Sequence, residues 1–113
     1  MKVVFYGVLI SCLLLFTTCS KRPEGSPKEN EIWLEYKLFN PSRLMVKVGA
    51  TVTFINKANA NHTITNINGT FDSGKIISGK SFSYTFTTSG SYSFYCKYHT
   101  GEQAEQGYII VEQ

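Results

Sequence analysis

The sequence predicts an all-β fold, a β-sandwich or a barrel built from short strands. Apolar and polar residues alternate with period two over most of residues 31–113. Glycines recur between the alternating segments, where the chain is expected to turn. Residues 31–113 contain no sustained helical period, whereas Thr, Val, Tyr and Phe, which favour strands, are frequent.

The alternating segments give the expected strands in chain order. Asn40-Pro41 is expected to separate the first strand region from the second, and Gly49-Ala50 forms a turn before the next strand. The run 108–111 closes the domain. The apolar positions expected to share a face within each strand are Ile32, Leu34 and Tyr36; Leu44, Val46 and Val48; Val52 and Phe54; Phe82, Tyr84 and Phe86; and Tyr92, Phe94 and Cys96. The aromatic residues expected in the core are Trp33, Phe54, Phe82, Phe86 and Phe94.

Length and charge limit the kinds of protein that this chain can be. Its 113 residues suffice for one domain. Charged residues make up 17% and aromatic residues 14%, which is unlike the composition of a disordered chain. The formal net charge is +3, but residues 31–113 hold seven Lys or Arg against six Asp or Glu. A nearly neutral domain is not expected to bind nucleic acid.

The N-terminal segment has the pattern of an export signal. Lys2 is followed by an apolar run ending at Phe16, which has the length of a signal-peptide core and is short for a membrane span. Cys19 then opens a polar stretch, and this arrangement resembles a bacterial lipoprotein signal, in which the cysteine becomes the lipidated first residue. The resemblance implies a signal peptide at 1–18, a flexible linker at 19–30 and a domain at 31–113. The protein is then exported to the periplasm or cell surface and anchored to a membrane through its lipid.

Alternatives to this prediction stay open. Lipoprotein signals prefer Leu three residues before the cysteine and a small residue just before it, where this chain has Phe16 and Thr18. Cys12 fits that pattern better, but it leaves a very short apolar core. The segment is otherwise an ordinary cleaved signal or an uncleaved anchor with an incidental cysteine.

Two histidines and one cysteine form the candidate site of the domain. His62 follows a polar loop, Cys96 ends a strongly alternating strand, and His99 lies three residues later. A sandwich can bring the ends of distant strands together at one pole. Two imidazoles and one thiolate suit copper in an electron-transfer site. Zinc binding, a thiol nucleophile with a base, and simple burial of the cysteine are alternatives that the residue types leave open.

Short segments of the domain form an ordered series: NP at 40–41, VKVGATVTFIN at 46–56, NHTIT at 61–65, GTFDSG at 69–74, FSYTF at 82–86, GSYSFYCKYH at 90–99 and GYIIV at 107–111. In this order they resemble the plastocyanin/amicyanin group of cupredoxins over about residues 38–113. The resemblance implies a Greek-key β-sandwich with one copper ion at one pole. It places His62, Cys96 and His99 on the metal ligands of that group.

The chain departs from this group at the fourth, axial ligand. The group usually has a Met a few residues after its second histidine, but Met45 lies in an early strand. Counting forward from Cys96 places Glu102 in that position, and counting back from Gly107 places Glu105 there; Gln103 and Gln106 are adjacent. We expect Glu102 as the axial ligand and Gln103 as the next choice. The alternative is that none of these side chains binds metal.

These observations favour an exported copper protein that carries single electrons between redox partner proteins and is not an enzyme. Thr63 is a candidate to orient the ligand loop through a hydrogen bond. The missing Met leaves two further hypotheses open, a periplasmic copper carrier or chaperone and a small enzyme of the red-copper type.

Overall fold

The computed structural model describes residues 25–101 and 105–113. One turn of 3-10 helix, Lys97–His99, lies between the last two strands of this part of the chain. No helix within the described ranges is long and apolar enough to cross a bilayer. The strands are β1 (Glu31–Glu35), β2 (Leu38–Asn40), β3 (Arg43–Lys47), β4 (Thr51–Asn56), β5 (Thr65–Asn66), β6 (Ser81–Thr85), β7 (Gly90–Tyr95) and β8 (Gln106–Glu112).

The strands form two four-stranded sheets with the orders β2-β1-β4-β6 and β3-β8-β7-β5. β1 runs parallel to β4 and β3 runs parallel to β8, whereas the other pairs are antiparallel. The chain passes between the two sheets several times, as in a sandwich with Greek-key connections. The predicted fold class is therefore confirmed.

The core lies between the sheets and follows the predicted alternation. Ile32 and Leu34 of β1 are fully buried, and so is Phe54 of β4. The rings of Phe54 and Phe94 meet edge to face with centroids 5.5 Å apart, which links the two sheets at the centre. Burial of each such side chain contributes about 1.5–3 kcal/mol, so these contacts dominate the stability of the sandwich.

Two apolar residues lie outside the faces predicted for them. Tyr36 is 74% exposed because β1 ends at Glu35 and the chain turns through Lys37, which has a φ of 61°. Val48 is 41% exposed because it follows the end of β3 and begins the turn to β4. In both cases the alternation in the sequence continues for one position beyond the strand.

Trp33 does not belong to the core, so that prediction was wrong. It alternates along β1 with Ile32 and Leu34, which places its ring on the outer face of the sheet. There the indole N–H donates to Glu31 Oε1 at 3.1 Å. The ammonium of Lys57 lies 4.4 Å from the ring centroid, in cation–π contact.

Strand direction defines the two poles of the sandwich. β4 runs toward the loop that holds His62, and β7 ends just before Cys96. β1 is parallel to β4, with Glu31 opposite Thr53 and therefore near the start of that strand. The chain consequently enters β1 on the side facing the pole opposite His62 and Cys96.

Candidate metal centre

Three segments bring side chains to one pole. His62 lies in the loop after β4, where its N–H donates to the Ile76 carbonyl at 3.1 Å and its own carbonyl accepts from the Ile76 N–H at 2.8 Å. Cys96 comes directly after β7, and His99 ends the short helical turn that follows. The His99 N–H donates to the Cys96 carbonyl at 3.3 Å, so these two residues are held in one turn.

Glu105 is positioned by the hairpin formed by β7 and β8. It immediately precedes β8, and its carbonyl accepts the Cys96 N–H at 3.3 Å. This hydrogen bond continues the ladder beyond the pair formed by Tyr95 and Gln106. The Glu105 side chain turns inward and is only 1% exposed. Its place beside the cysteine is therefore set by strand register.

The four side chains supply donor atoms that all lie within 4.8 Å of one another. Glu105 Oε1 is 3.1 Å from His62 Nδ1 and 3.2 Å from His99 Nδ1, and Cys96 Sγ is 3.4 Å from His99 Nδ1. In a tetrahedral site with bonds of about 2.0–2.3 Å, donor atoms stand roughly 3.3–3.8 Å apart. These three separations lie at or just below this range and no other exceeds 4.8 Å, so the cluster has the size of a site for one metal ion.

Burial of the cluster matches the needs of a metal site. His62, Cys96 and Glu105 are buried, whereas the His99 side chain is 33% exposed. Two imidazoles and a thiolate suit copper, and nitrogen, sulfur and carboxylate donors are also accepted by zinc. A buried carboxylate is costly unless it is paired or coordinates a metal, and the Glu105 carboxylate contacts both imidazoles.

Burial disfavours the positively charged form of His62. Burial lowers the pKa of its imidazole below the ordinary value of 6.5, and His99 acts in the same direction while Glu105 opposes them. A neutral His62 makes the 3.1 Å contact with Glu105 a hydrogen bond rather than a charged pair. The other ring nitrogen, Nε2, is buried and has no hydrogen-bond partner among the described residues. Nδ1 is the nitrogen that faces the other donor atoms, and it would have to release the proton of this hydrogen bond on binding a metal.

Thr63 connects the loop of His62 to the cysteine. Its backbone N–H donates to Cys96 Sγ at 3.4 Å, and its hydroxyl oxygen accepts the Lys97 N–H at 2.9 Å. The hydrogen bond that the sequence predicted between Thr63 and the ligand loop is therefore present. It ties the loop of His62 to the segment that carries the sulfur.

The three candidates singled out from the sequence, His62, Cys96 and His99, lie together as described above. Glu102 and Gln103, expected as axial ligands, lie outside the described residues, and so does Cys19 with the whole N-terminal signal. The acidic residue in the described cluster is Glu105, which counting back from Gly107 had also indicated. Met45 is exposed on β3 and is not a member of the cluster.

A cavity of about 400 Å³ adjoins the site on the side of His99 and Glu105. Tyr95 and Tyr108 also line it. The opposite side of His62 is closed by the ring of Phe39, whose centroid lies 6.2 Å from that of the imidazole. Among the described residues, the cavity and the partly exposed His99 side chain lie on the same side of the cluster.

The sequence is similar to a known protein family and to several known proteins. The model of the family described as "Cupredoxin-like domain" matches residues 8–111. The chain is 35% identical over 75 residues to the chloroplastic plastocyanin of Hordeum vulgare, covering 57% of this chain and 48% of that protein. It thus spans about half the length of that relative. Plastocyanin of Scenedesmus fuscus is 31% identical over 80 residues, covering 57% of this chain and 76% of that one.

Solved structures with similar folds include a purple cupredoxin from Nitrosopumilus maritimus. It superposes with a TM-score of 0.64 at 25% identity, covering 73% of this chain and 98% of the other. A methionine-to-glutamine variant of amicyanin with Cu(I) gives a TM-score of 0.64 at 26% identity, covering 75% of this chain and 85% of that one. These likenesses extend over nearly all of the described sandwich.

Proposed function

The chain belongs to the cupredoxin-like domain family, and from that premise we propose that it is an exported copper protein that carries single electrons between redox partners. One observation carries the proposal: one thiol, two imidazoles and one carboxylate converge within 4.8 Å at one pole of the sandwich. Plastocyanin and amicyanin relatives are electron carriers, which favours the same role here.

One copper ion is the cofactor, and His62, Cys96 and His99 are the residues proposed to hold it. Copper supplies a centre that gains or loses one electron between Cu(I) and Cu(II). The protein holds the donors in one geometry through the bridge at Ile76 and the hydrogen bonds of Thr63. Little rearrangement then accompanies a change of charge, which is the requirement for fast electron transfer.

Glu105 is proposed as the fourth ligand in place of the expected Glu102 or Gln103. Its carboxylate lies as close to the two imidazole nitrogens as a tetrahedral site requires. The fourth donor would therefore be a normal oxygen ligand, unlike the weak and distant axial ligand of blue-copper sites. An anionic oxygen donor favours Cu(II) over Cu(I), so we propose a site of low reduction potential.

The surface near His99 is proposed as the route for electrons. The His99 side chain is the exposed member of the cluster, at 33%, and the neighbouring Tyr98 is half exposed. A redox partner docked there would come close to a ligand of the metal. On another side His62 packs against the ring of Phe39, which is itself buried.

Export and lipid anchoring remain part of the proposal. It divides the chain into a signal peptide at 1–18, a linker at 19–30 that begins with lipidated Cys19, and the domain at 31–113, located in the periplasm or at the cell surface. Metabolic labelling with a radioactive fatty acid should mark the parent protein and Cys12→Ala but not Cys19→Ala. Label retained in Cys19→Ala would contradict the assignment, and loss in Cys12→Ala would favour the other cysteine.

The copper proposal is tested by loading the purified domain with Cu(II). We expect one ion per chain and an intense thiolate-to-copper absorption band, which is lost in Cys96→Ser while the fold is retained. The absence of such a band from the folded, loaded parent would contradict the proposal. Magnetic resonance of the same sample would report whether nitrogen and sulfur donors surround the ion.

A second candidate function is a copper carrier or chaperone, favoured by the carboxylate donor. Rapid and reversible transfer of copper to a chelating partner, combined with slow electron self-exchange, would support this function over the first. A third candidate, a small enzyme of the red-copper type, is favoured by the cavity beside Glu105 and His99. Addition of azide should leave the spectrum of an electron carrier unchanged but perturb that of an enzyme with an open copper position.

A further inference from the structure

A closed ring of hydrogen bonds lies beside the Cys96 sulfur. The Lys97 N–H donates to Thr63 Oγ1 at 2.9 Å, and Thr63 Oγ1 lies 3.0 Å from Thr65 Oγ1. The Thr65 hydroxyl donates to Asp72 Oδ1 at 3.3 Å. The Lys97 ammonium donates to Asp72 Oδ2 at 2.7 Å and closes the ring. Lys97 thus takes part twice, binding Thr63 through its backbone N–H and Asp72 through its side-chain ammonium.

The chemistry of the groups fixes the direction of every proton in this ring. A carboxylate only accepts, so the single hydroxyl proton of Thr65 points to Asp72. Thr65 must then accept from Thr63, and Thr63 in turn accepts from the Lys97 N–H. A chain of bonds that all point one way toward a negative charge is mutually polarised, and this strengthens each member. Thr63 and Thr65 are buried, which keeps water from competing for the hydroxyls.

The ring fixes both partners of a hydrogen bond to the sulfur. Thr63 donates its own N–H to Cys96 Sγ at 3.4 Å, and Lys97 is joined to Cys96 by a peptide bond. Movement of either segment would lengthen that N–H···S contact. Hydrogen bonding around the cysteine sulfur is one of the properties that tune a copper–thiolate centre.

The ion pair of Asp72 and Lys97 differs from an ordinary surface ion pair because hydrogen bonds continue from it to buried groups. Their side chains are 42% and 50% exposed, and such a pair by itself adds little stability. A comparable pair, Lys47 with Glu112, has a spacing of 3.7 Å and lies on β3 and β8 at the pole opposite the cysteine. Only the pair at Asp72 is continued by buried hydroxyls toward Cys96.

We propose that Asp72 is a positioning residue for the metal-binding thiolate, acting through Thr65, Thr63 and Lys97 to set the hydrogen bond at Cys96 Sγ. This inference rests on the proposed function insofar as the thiolate binds copper. Asp72 touches neither the sulfur nor any other proposed ligand in the structure. Its effect is therefore transmitted through the ring.

The copper-loaded test compares Asp72→Asn and Thr65→Val with Glu112→Gln as the matched control. Asn keeps one oxygen for the Gly74 N–H and the Thr65 hydroxyl, which both bind Asp72 Oδ1. It removes the charge and the second oxygen, which accepts from the Lys97 ammonium. A weaker N–H···S bond raises the energy of the sulfur electrons. We therefore expect the thiolate-to-copper band to move to longer wavelength in both variants and to stay at the parent position in Glu112→Gln.

The reduction potential distinguishes positioning from a simple charge effect. Loss of a negative charge alone would raise the potential in Asp72→Asn and leave Thr65→Val unchanged. Positioning predicts a lower potential in Thr65→Val, which alters no charge, and no further band shift when both substitutions are combined. A raised potential with an unmoved band in Asp72→Asn, together with a parent-like Thr65→Val, would overturn the proposal.

A second readout needs no metal. In the metal-free, reduced protein, hydrogen exchange at the amides of Thr63 and Lys97 is expected to be at least tenfold faster in Thr65→Val than in the parent and in Glu112→Gln. Unchanged exchange at both amides would contradict the ring as a positioning device. If exchange is faster in Thr65→Val as expected but the copper-loaded parent shows no thiolate-to-copper band, the copper function is rejected and the positioning ring is not. Thr65→Val alone decides the test if Asp72→Asn does not fold.

Discussion

The carboxylate of Glu105 lies 3.1 Å from Nδ1 of His62, although 43 residues separate the two in the chain. β8 begins at the next residue after Glu105, and its pairing with β7 carries the carboxylate to the histidine. The contact adds an anionic oxygen to a set of nitrogen and sulfur donors. Several properties of the protein depend on that addition.

Replacement of Glu105 is expected to raise the reduction potential of the copper-loaded protein. Glu105→Gln keeps the shape and removes the charge, while Glu105→Met supplies a weak thioether donor, and both relieve the preference for Cu(II). We expect an increase on the order of 59 mV or more, which is a tenfold change for a one-electron couple. Voltammetry measures it, with Glu112→Gln, at the exposed far end of β8, as the control. An unchanged potential in Glu105→Gln would place Glu105 outside the coordination sphere.

Removal of the metal is expected to lower the stability of the domain. A ligand that binds only the folded protein adds about 4 kcal/mol when present at a thousand times its dissociation constant. Calorimetry of the parent with and without copper should therefore show a higher Tm for the loaded form. In Cys96→Ser, which lacks the thiolate, the two curves should nearly coincide. An equal gain of Tm in that variant would mean that copper binds elsewhere.

Gly107→Ala is expected to destabilise the hairpin next to Glu105. A Cβ at this position would lie 2.7 Å from Phe94 Cζ and 2.7 Å from the backbone oxygen of Ser42. Relief of such overpacking typically costs 1–3 kcal/mol, and here one of the obstacles is backbone. Urea unfolding measures the loss, with Ser91→Ala on the exposed side of β7 as a control that should stay within about 0.5 kcal/mol. Parent-like stability of Gly107→Ala would argue against this packing.

The stability difference between the parent and Asp72→Asn is expected to depend on pH. The hydrogen bond from Lys97, the largest influence, together with the Gly74 N–H, lowers the pKa of Asp72 below its ordinary value of 3.8. Because the folded-state pKa is the lower one, the carboxylate contributes stability that is complete above pH 3.8 and is lost as the pH falls through the folded-state value. Urea unfolding at a series of pH values should show a higher free energy of unfolding for the parent than for Asp72→Asn near neutrality. The difference should become smaller in acid. A difference that does not change with pH would contradict this account.

The sequence predicted the sandwich because burial of one side of a strand requires apolar and polar residues to alternate with period two. Val52 was predicted to share a face with Phe54, which was assigned to the core, and both are fully buried. The alternation does not show where a strand ends. Nothing in the alternation distinguishes Tyr36 from Leu34, because the turn through Lys37 depends on a backbone conformation and not on hydrophobicity.

The candidate site was predictable in its histidines and cysteine because few residue types can perform their chemistry. The proposed fourth donor, Glu105, was harder to predict, since the loop between His99 and β8 is acidic and amide-rich and offers several oxygen donors. Counting forward along a loop gives no fixed position. Counting back from Gly107 is more reliable because the pairing of Gly107 with Phe94 fixes the register of β8.

The parallel pairing of β1 with β4 also determines how the domain would be oriented if it were attached to a solid surface through its N-terminal side. The chain enters β1 on the side away from His62 and Cys96, so an attachment made directly ahead of Glu31 begins at the pole opposite His99. An electrode coated with the domain through its N-terminal segment would carry the molecules with their redox-active ends turned outward to the solution. Monolayers of that orientation are suited to studying dissolved partner proteins by catalytic current, whereas attachment through Tyr98 would hide the docking face.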